Sequence, residues 1–328
     1  MRPEGVYAAS ATDAAGLLAA VSSMVLPAGA VVPSLRLGNL VDRIAVIAAL
    51  RKTLGAVQTG KQRDVTLIVP DTAVRVLLLD FDALPSKADD VLPVLRFRLT
   101  KLLPFPPELA QISYQVLSRH ALVLQVLVVA IPNEVLAEYE SAVREAGFEP
   151  GAVLPSTLAV AAAIDETGQA AALLVNGGEH AVTTAILRRG ELLLHRTLEL
   201  KSSPMAEAAA TVALEPASMA AAAQAGNGTD VAVAEMVQAG VLSDAEDAER
   251  TQVELLQAIS VAAAYYEDSL AVAPTEILTA GTLSPSALGG MLEDSGLQAR
   301  DVLQTADLLV GTALPRGLLA GLRGALKG

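Results

Sequence analysis

The sequence predicts a mixed α/β protein with about two domains, and three observations support that fold class. Short apolar runs typical of β-strands alternate with segments in which apolar residues recur every three or four positions, as on a helix face. Residues 64–154 carry these signals in the order β-β-α-β-β-α-β, which is typical of a compact two-layer unit. The chain has 328 residues and is 52% hydrophobic, which is enough to bury a sizeable core.

The first element is a β-rich start. Residues 14–35 carry no charged side chain, but Pro27, Gly29 and Pro33 divide them into short pieces. We therefore expect paired strands and turns there, because a membrane-spanning helix needs about 20 predominantly apolar residues in a row. A secretory signal is the alternative, although the chain starts Met-Arg-Pro-Glu, with an acid close behind its first basic residue.

One helix follows this start, over residues 43–54. Asn39 or Asp42 is expected to cap it, and Gly55 is expected to end it. Residues 55–62 nearly match a phosphate-binding loop, but Gln62 replaces the hydroxyl that would contact magnesium, and the segment follows a helix instead of a strand. We interpret it as a connecting loop.

The region from 64 to 154 gives the clearest pattern. Leu92, Leu95, Leu99 and Leu102 recur at helix spacing, and Pro93 is expected to restart that helix as a first-turn proline. The other predicted elements are strands over 65–69 and 74–81, a hairpin of 112–117 with 123–131, a helix over 132–146 stopped by Gly147, and a strand over 149–154.

The second half repeats hairpins followed by helices. The predicted elements are a helix from Ser156 to about 164, strands over 171–175, 182–187 and 191–198, helices over 205–225 and 244–270, a strand over 276–280, a helix opened by Ser284 and Pro285, and a short frayed helix over 314–328.

Composition excludes several kinds of chemistry. The chain has no Cys, so it has neither disulfides nor thiolate chemistry, and its three His residues show no zinc-site spacing. A formal net charge of −13 argues against binding nucleic acid and against attraction to anionic lipid. We therefore expect a soluble, intracellular protein without a membrane-spanning segment.

Individual polar residues give no catalytic pattern. His195 is a lone histidine on a predicted strand, where a surface or half-buried position is the usual one, and no nucleophile-elbow sequence is present. Asp71, Asp80 and Asp82 lie close together in the sequence and are expected to be solvated residues of turns and strand edges. We predict no catalytic residue and no metal site.

Phe97 is the unusual residue of the leucine-patterned helix. At about 100° per residue, it falls almost opposite the leucine stripe and beside Lys101. An apolar side chain off the core face indicates either a binding surface or packing under a neighbouring subdomain, and both interpretations stay open. Phe105 adds a second aromatic residue nearby.

Several segments, in this order, resemble the PilM family of type IV pilus assembly proteins. They are Asp-Val-Thr-Leu-Ile-Val-Pro-Asp at 64–71, Val-Arg-Val-Leu-Leu-Leu-Asp-Phe at 74–81, Arg-Phe-Arg-Leu-Thr-Lys-Leu-Leu-Pro-Phe-Pro at 96–106, Tyr-Gln-Val at 114–116 and Val-Val-Ala-Ile-Pro at 128–132. Ser113 stands where an acid is common in the family. The resemblance is good over roughly residues 60–200 and loose elsewhere.

The resemblance implies an actin-like (ribonuclease H-like) fold, similar to the cell-division protein FtsA. Two lobes would flank a nucleotide cleft, with residues 1–63 starting the first lobe, 64–154 forming an inserted subdomain, and 155–328 forming the second lobe with a C-terminal return helix. Family members are cytoplasmic and bind the N-terminal cytoplasmic peptide of the membrane protein PilN. Here that peptide would contact Phe97, Lys101, Leu103, Phe105 and Tyr114, and a pilus motor ATPase is a further candidate partner.

The resemblance also places degenerate nucleotide turns. The first phosphate turn would precede Met1, so the first strand is either absent or removed by the assigned start. The second would be Asn176, Gly177 and Gly178, with an amide where an acid would organise a magnesium-bound water, and the adenine-side turn would be at Gly281. We expect a non-catalytic scaffold without a cofactor. The alternatives are an ATP-binding or ATP-hydrolysing protein, a filament former like FtsA, and an adaptor like GspL of type II secretion.

Overall fold

The computed structural model describes residues 1–12, 15–120, 123–164, 171–200, 229–308 and 311–327, and the side chains of the long helix from residue 249 onward. Its strands form a five-stranded sheet, a three-stranded sheet and two two-stranded sheets. The predicted helix over 205–225 lies outside the described residues. None of the helices in the described ranges combines the length and apolar character that a bilayer-spanning helix needs.

One core joins the two small sheets of the first lobe. Its elements are β1 (Gly5–Ala11) antiparallel to β2 (Leu18–Val25), α1 (Arg43–Val57), β3 (Asp64–Val69) parallel to β7 (Glu149–Pro155), and α3 (Asn133–Glu145). Val6 of β1, Leu67 of β3 and the fully buried Tyr139 of α3 all belong to that core. The predicted strands and turns near the start of the chain are thus confirmed.

The ends of α1 and α3 can be compared with the residues predicted to begin and end these helices. The Asp42 side chain accepts a hydrogen bond from the Ala45 amide at 2.9 Å, which confirms the predicted cap of α1. Gly55 does not end α1, because the helix continues for two residues and buries Val57. Gly147 does end α3, in a left-handed conformation with a φ of 96° that favours glycine.

A separate core lies inside the inserted subdomain. Its antiparallel sheet has the order β4 (Arg75–Phe81), β6 (Val123–Pro132) and β5 (Ala110–His120), and α2 (Ala88–Leu99) packs on it. Pro93 lies inside α2 and not in its first turn, so the predicted restart is wrong. The predicted division at residues 64 and 154 remains a prediction, and from here on the inserted subdomain means α2 with β4, β5 and β6, while the elements of the preceding core are counted with the first lobe.

The second lobe is a three-layer sandwich. Its sheet has the order β10 (Glu191–Glu199), β9 (Ala181–Arg188), β8 (Ala172–Gly177), β11 (Glu276–Gly281) and β12 (Gln298–Asp301), with β8, β11 and β12 parallel. Leu173 and Val175 face α5 (Thr229–Leu270) and α6 (Pro285–Met291). Leu174 faces the opposite layer, as strand alternation requires.

That opposite layer joins the two lobes. It contains α4 (Ser156–Ala163) and α7 (Arg316–Leu326), and its core contains Leu18 of the first lobe together with Leu174 of the second. The helices cross so closely that a Cβ on Gly324 would lie 1.9 Å from the Ala159 carbonyl oxygen. The C-terminal helix, predicted as short and frayed, is therefore a buried connection between the lobes.

Candidate functional site

The four residues predicted to form the nucleotide turns lie together at one edge of the five-stranded sheet. The carboxyl ends of β8 and β11 are adjacent there, with Asn176 opposite Ala280 and Gly177 opposite Gly281. Gly178 follows β8 directly. Gly281 has a φ of 80°, and a Cβ on it would lie 1.8 Å from the Gly177 carbonyl oxygen, so glycine is required at this position.

The Asn176 side chain bridges the lobes from this edge. Its side chain is buried, and Nδ2 donates to Ser156 Oγ at 3.0 Å and to Thr157 Oγ1 at 2.9 Å, in the first turn of α4. Its Oδ1 accepts a hydrogen bond from Arg2 Nη2 at 2.7 Å. Both polar atoms of the amide therefore bind protein groups.

Arg2 places a positive charge against the turn after β8. Besides Asn176, its guanidinium donates to the Gly177 carbonyl at 3.0 Å and to Ser156 Oγ at 3.4 Å. Glu4 accepts a hydrogen bond from the Glu179 amide at 2.9 Å, so a second residue of the same segment contacts the same turn. Sequence reasoning missed Arg2, because its partners Ser156 and Asn176 lie 154 and 174 positions away.

Asp71 shares the partner Thr157 with Asn176. Asp71 is buried, which corrects its predicted position in a solvated turn. Its carboxylate accepts hydrogen bonds from the Thr157 amide at 3.0 Å, Thr157 Oγ1 at 2.7 Å and Thr183 Oγ1 at 3.3 Å. Pro155, which precedes α4, makes no side-chain cap. Asp71 thus supplies the negative charge and acceptor that a helix N-terminus favours. Asp80 and Asp82 are exposed, as predicted.

His195 faces Asp71 across the lobe boundary. Its Nε2 lies 3.8 Å from Asp71 Oδ1, and both side chains are almost completely buried, although His195 as a whole residue is half-buried, within the predicted range. That separation is too long for a hydrogen bond, and Nε2 has no hydrogen-bond partner among the described residues. Burial opposes the charge of Asp71, but the interactions with His195 and Thr157 outweigh it and hold the pKa of that carboxyl below its usual value.

These residues form an inter-lobe polar cluster, which we define as Arg2, Asp71, Ser156, Thr157, Asn176, Thr183 and His195. Arg2 and Asp71 belong to the first lobe, Ser156 and Thr157 open α4 in the layer that joins the lobes, and Asn176, Thr183 and His195 belong to the five-stranded sheet. In the part of the chain that the structure describes, no three His, Cys, Asp or Glu side chains are grouped for a metal ion. The cluster therefore connects the lobes through hydrogen bonds and one buried acid–histidine pair.

Comparison with known proteins gives matches among solved structures. No family model and no curated protein matches the chain. A chain of the PilM–PilN type IV pilus biogenesis complex superposes with a TM-score of 0.72 at 18% identity, covering 99% of this chain and 96% of that one. The ethanolamine utilization protein EutJ from Carboxydothermus hydrogenoformans gives a TM-score of 0.50 at 11% identity, covering 100% and 87%.

The cytoplasmic domain of EpsL, an inner membrane component of the type II secretion system of Vibrio cholerae, gives a TM-score of 0.35 at 13% identity. The superposition covers 56% of this chain and 60% of the EpsL domain, and a TM-score this low supports no argument about this chain. The better matches define the class: the chain has the predicted actin-like, two-lobed fold. It follows the PilM–PilN complex chain over nearly its whole length, so the predicted resemblance to PilM is confirmed at the level of the fold.

Actin-like proteins are expected to hold a magnesium-bound nucleotide between their lobes, and the turn after β8 does not fit the magnesium ion of that group. Magnesium prefers carboxylate oxygens, but this turn offers the amide of Asn176. The amide oxygen already accepts a hydrogen bond from Arg2, whose guanidinium would repel a divalent cation at this position. We therefore derive no step through a nucleotide.

The predicted partner-binding residues lie on the inserted subdomain in two groups. Leu103, Phe105 and Tyr114 are half-buried and pack against the core of the three-stranded sheet. Phe97 and Lys101 are exposed, and the Phe97 side chain is 83% exposed, on the side of α2 opposite the buried Leu95 and Leu99. Of the two interpretations of Phe97, packing under a neighbouring subdomain is therefore wrong.

The leucine stripe itself needs one correction. Leu95 and Leu99 are fully buried, but Leu102 lies beyond the end of α2 and is 44% exposed, while Leu103 packs on the core instead. The helix ends at Leu99, so the spacing of about 3.6 residues per turn no longer applies to Leu102. Leu102 and Phe97 are therefore both exposed apolar side chains of the inserted subdomain.

Proposed function

We propose that this chain is a non-catalytic cytoplasmic adaptor of the type IV pilus inner-membrane assembly complex, and that it binds the N-terminal peptide of a PilN-like membrane protein. The fold supports this proposal, because the matched structure is a complex of PilM with PilN. The partner would keep the adaptor at the inner membrane and connect it to the pilus motor ATPase.

The observation that carries the peptide-binding proposal is the exposed Phe97. Aromatic side chains supply a large share of the binding energy at protein interfaces, and an exposed one on a regular helix is already positioned for a partner. Lys101, in the turn just beyond the end of α2, is exposed as well and offers a charge to the peptide. The half-buried Leu103, Phe105 and Tyr114 would form the base of the contact, since the subdomain core fixes their positions.

Isothermal titration calorimetry with a synthetic peptide tests the proposal. The peptide carries the N-terminal cytoplasmic residues of the PilN-like protein from the same organism. We expect binding by the wild type, and a loss of at least about tenfold in affinity for Phe97→Ala, as for an aromatic hot spot. Ile44→Ala is the matched control, because Ile44 is also 83% exposed but lies on the first lobe.

Two outcomes of the titration would contradict the peptide-binding proposal. An absence of heat at high micromolar peptide, with a cooperatively unfolding protein, contradicts the proposal. Equal loss of affinity in the two variants also contradicts it, because the effect would then not be specific to the inserted subdomain.

We further propose that the chain is not an enzyme and uses no cofactor. The supporting observation is the Arg2–Asn176 contact, which puts a cation and an amide where a kinase or ATPase needs a carboxylate. A phosphate-release assay with magnesium ATP should give no more product than buffer. Turnover that copurifies with the protein and is abolished by Asn176→Ala would establish the ATPase alternative instead.

A further inference from the structure

A groove lies on the second lobe, on the face of the five-stranded sheet opposite α4 and α7. It has a cavity volume of about 440 Å³ and separates α5 from the end of α6 and the loop beyond it. Six apolar residues line it: Leu256, Ile259, Ala263, Met291, Leu292 and Leu297. Its volume is in the range of natural binding clefts, which is roughly 300–1,000 Å³. We name it the α5–α6 groove.

The groove has a buried apolar floor and partly open apolar walls. Ile259 and Leu292 form the floor, at 2% and 6% exposure. The side chains of the walls are half-buried, so they keep apolar surface that a partner could cover. One of them is Met291, whose flexible side chain adapts to different apolar partners. On α5, residues 256, 259, 260 and 263 follow the i, i+3, i+4, i+7 pattern of a single helix face.

Acidic side chains surround this apolar surface. Glu249 precedes Leu256 by two helical turns and Glu267 follows Ala263 by one, so both lie along the same face of α5, and both are exposed. Glu293, also exposed, adjoins Leu292 on the other wall. Arg250 is next to Glu249 in the sequence but projects about 100° away around the helix.

We infer that the α5–α6 groove binds a basic amphipathic helix of a partner protein. A helix in a groove inserts apolar side chains at i, i+3, i+4 and i+7, and lysines or arginines beside them would meet Glu249, Glu267 and Glu293. A second copy of this chain is disfavoured as the occupant, because it carries a net charge of −13 and the same acidic rim. An anionic lipid surface is disfavoured for the same reason. This inference does not depend on the proposed peptide site at Phe97.

Fluorescence anisotropy with two labelled 18-residue peptides tests the inference. One peptide has Leu at i, i+3, i+4 and i+7 with Lys elsewhere, and the other has the same Leu pattern with Glu. We expect the Leu–Lys peptide to bind and the Leu–Glu peptide not to bind. Ala263→Trp should fill the groove and weaken binding at least about tenfold. Its neighbour Ala264→Trp, on an exposed position outside the groove, should leave the affinity within about twofold.

A charge reversal separates the groove from general attraction to an acidic protein. In the double variant Glu267→Lys with Glu293→Lys, the preference should pass from the Leu–Lys to the Leu–Glu peptide. The double variant Glu134→Lys with Glu149→Lys makes the same change in net charge at exposed positions on the first lobe, and it should keep the original preference. Failure of the wild type to bind, whether because the groove is already covered or because it lacks affinity, overturns the inference, and so does equal behaviour of the two double variants.

Discussion

Two regions of this molecule depart from the usual distribution of polarity, and they do so in opposite ways. The inter-lobe polar cluster buries Asp71, Thr157 and Asn176, whereas the outer face of α2 exposes Phe97. In the cluster, hydrogen bonds within the chain offset most of the cost of burying polar atoms. On α2 nothing among the described residues covers the aromatic ring. The first departure is therefore explained by the stability of the fold, whereas the second supports the proposed contact with a partner.

The largest expected effect is on the cluster. Asp71→Ala removes the acceptor of the Thr157 amide and of two threonine hydroxyl groups, and it leaves His195 without its nearby charge, so we expect a loss of about 3 kcal/mol in the free energy of unfolding. Urea unfolding followed by circular dichroism measures it. Asp80→Ala, at an exposed position of β4, should stay within about 0.5 kcal/mol of the wild type. Similar losses in both variants would mean that the buried hydrogen bonds are not what distinguishes the cluster.

A smaller effect is expected at Arg2, the partly exposed member of the cluster. Arg2→Met keeps an unbranched side chain but removes the charged hydrogen bonds to Asn176 and Gly177, at a cost of about 1–2 kcal/mol. The Gly177 carbonyl still accepts a hydrogen bond from the Thr282 amide, which limits the loss. The matched control is Arg36→Met in an exposed loop of the first lobe. An Arg2 variant as stable as the Arg36 variant would show that the contact does not contribute to the lobe junction.

The pH dependence of Asp71 is the third test. Because the pKa of Asp71 is lower in the folded chain than in the unfolded chain, the unfolded chain binds more protons between the two values. The stabilisation by Asp71 is therefore present above the ordinary pKa of about 4 and is lost as the pH falls through the lower folded value. The difference in unfolding free energy between wild type and Asp71→Asn should shrink as the pH falls below about 4. A difference that is constant down to pH 3 contradicts this account.

Local patterns in the sequence explain why much of the fold could be predicted. Ser284 caps α6 through the Ala287 amide, and Gly147 ends α3. The alternating residues of β8 face two different layers. Each of these features depends only on residues that are close together in the sequence. Gly55 was predicted to end α1 because glycine is a poor helix former, at a cost of about 1 kcal/mol. Burial of Thr53 and Val57 on either side outweighs that cost.

The polar cluster could not be predicted by the same reasoning. Asp71 follows a proline, and an acid in that local setting is usually solvated. Its partners Thr157 and Thr183 lie 86 and 112 positions away, so only the packing of the two lobes brings them together. The predicted nucleotide turns came from a family resemblance, and the structure does bring Asn176 and Gly281 together, but the contact with Arg2 has no signal in the sequence.

The smallest expected change in the free energy of unfolding is at Phe97. It tests most directly whether the exposed ring, unlike the buried polar cluster, is dispensable for stability. Because its side chain is 83% exposed, Phe97→Ala removes almost no buried surface and should change the free energy of unfolding by no more than about 0.5 kcal/mol. Leu95→Ala, two residues earlier on the buried face of the same helix, should cost about 2–5 kcal/mol in the same urea titration. If Phe97→Ala were as destabilising as Leu95→Ala, the ring would be part of the core. Loss of peptide binding in that variant would then reflect unfolding and not a missing contact.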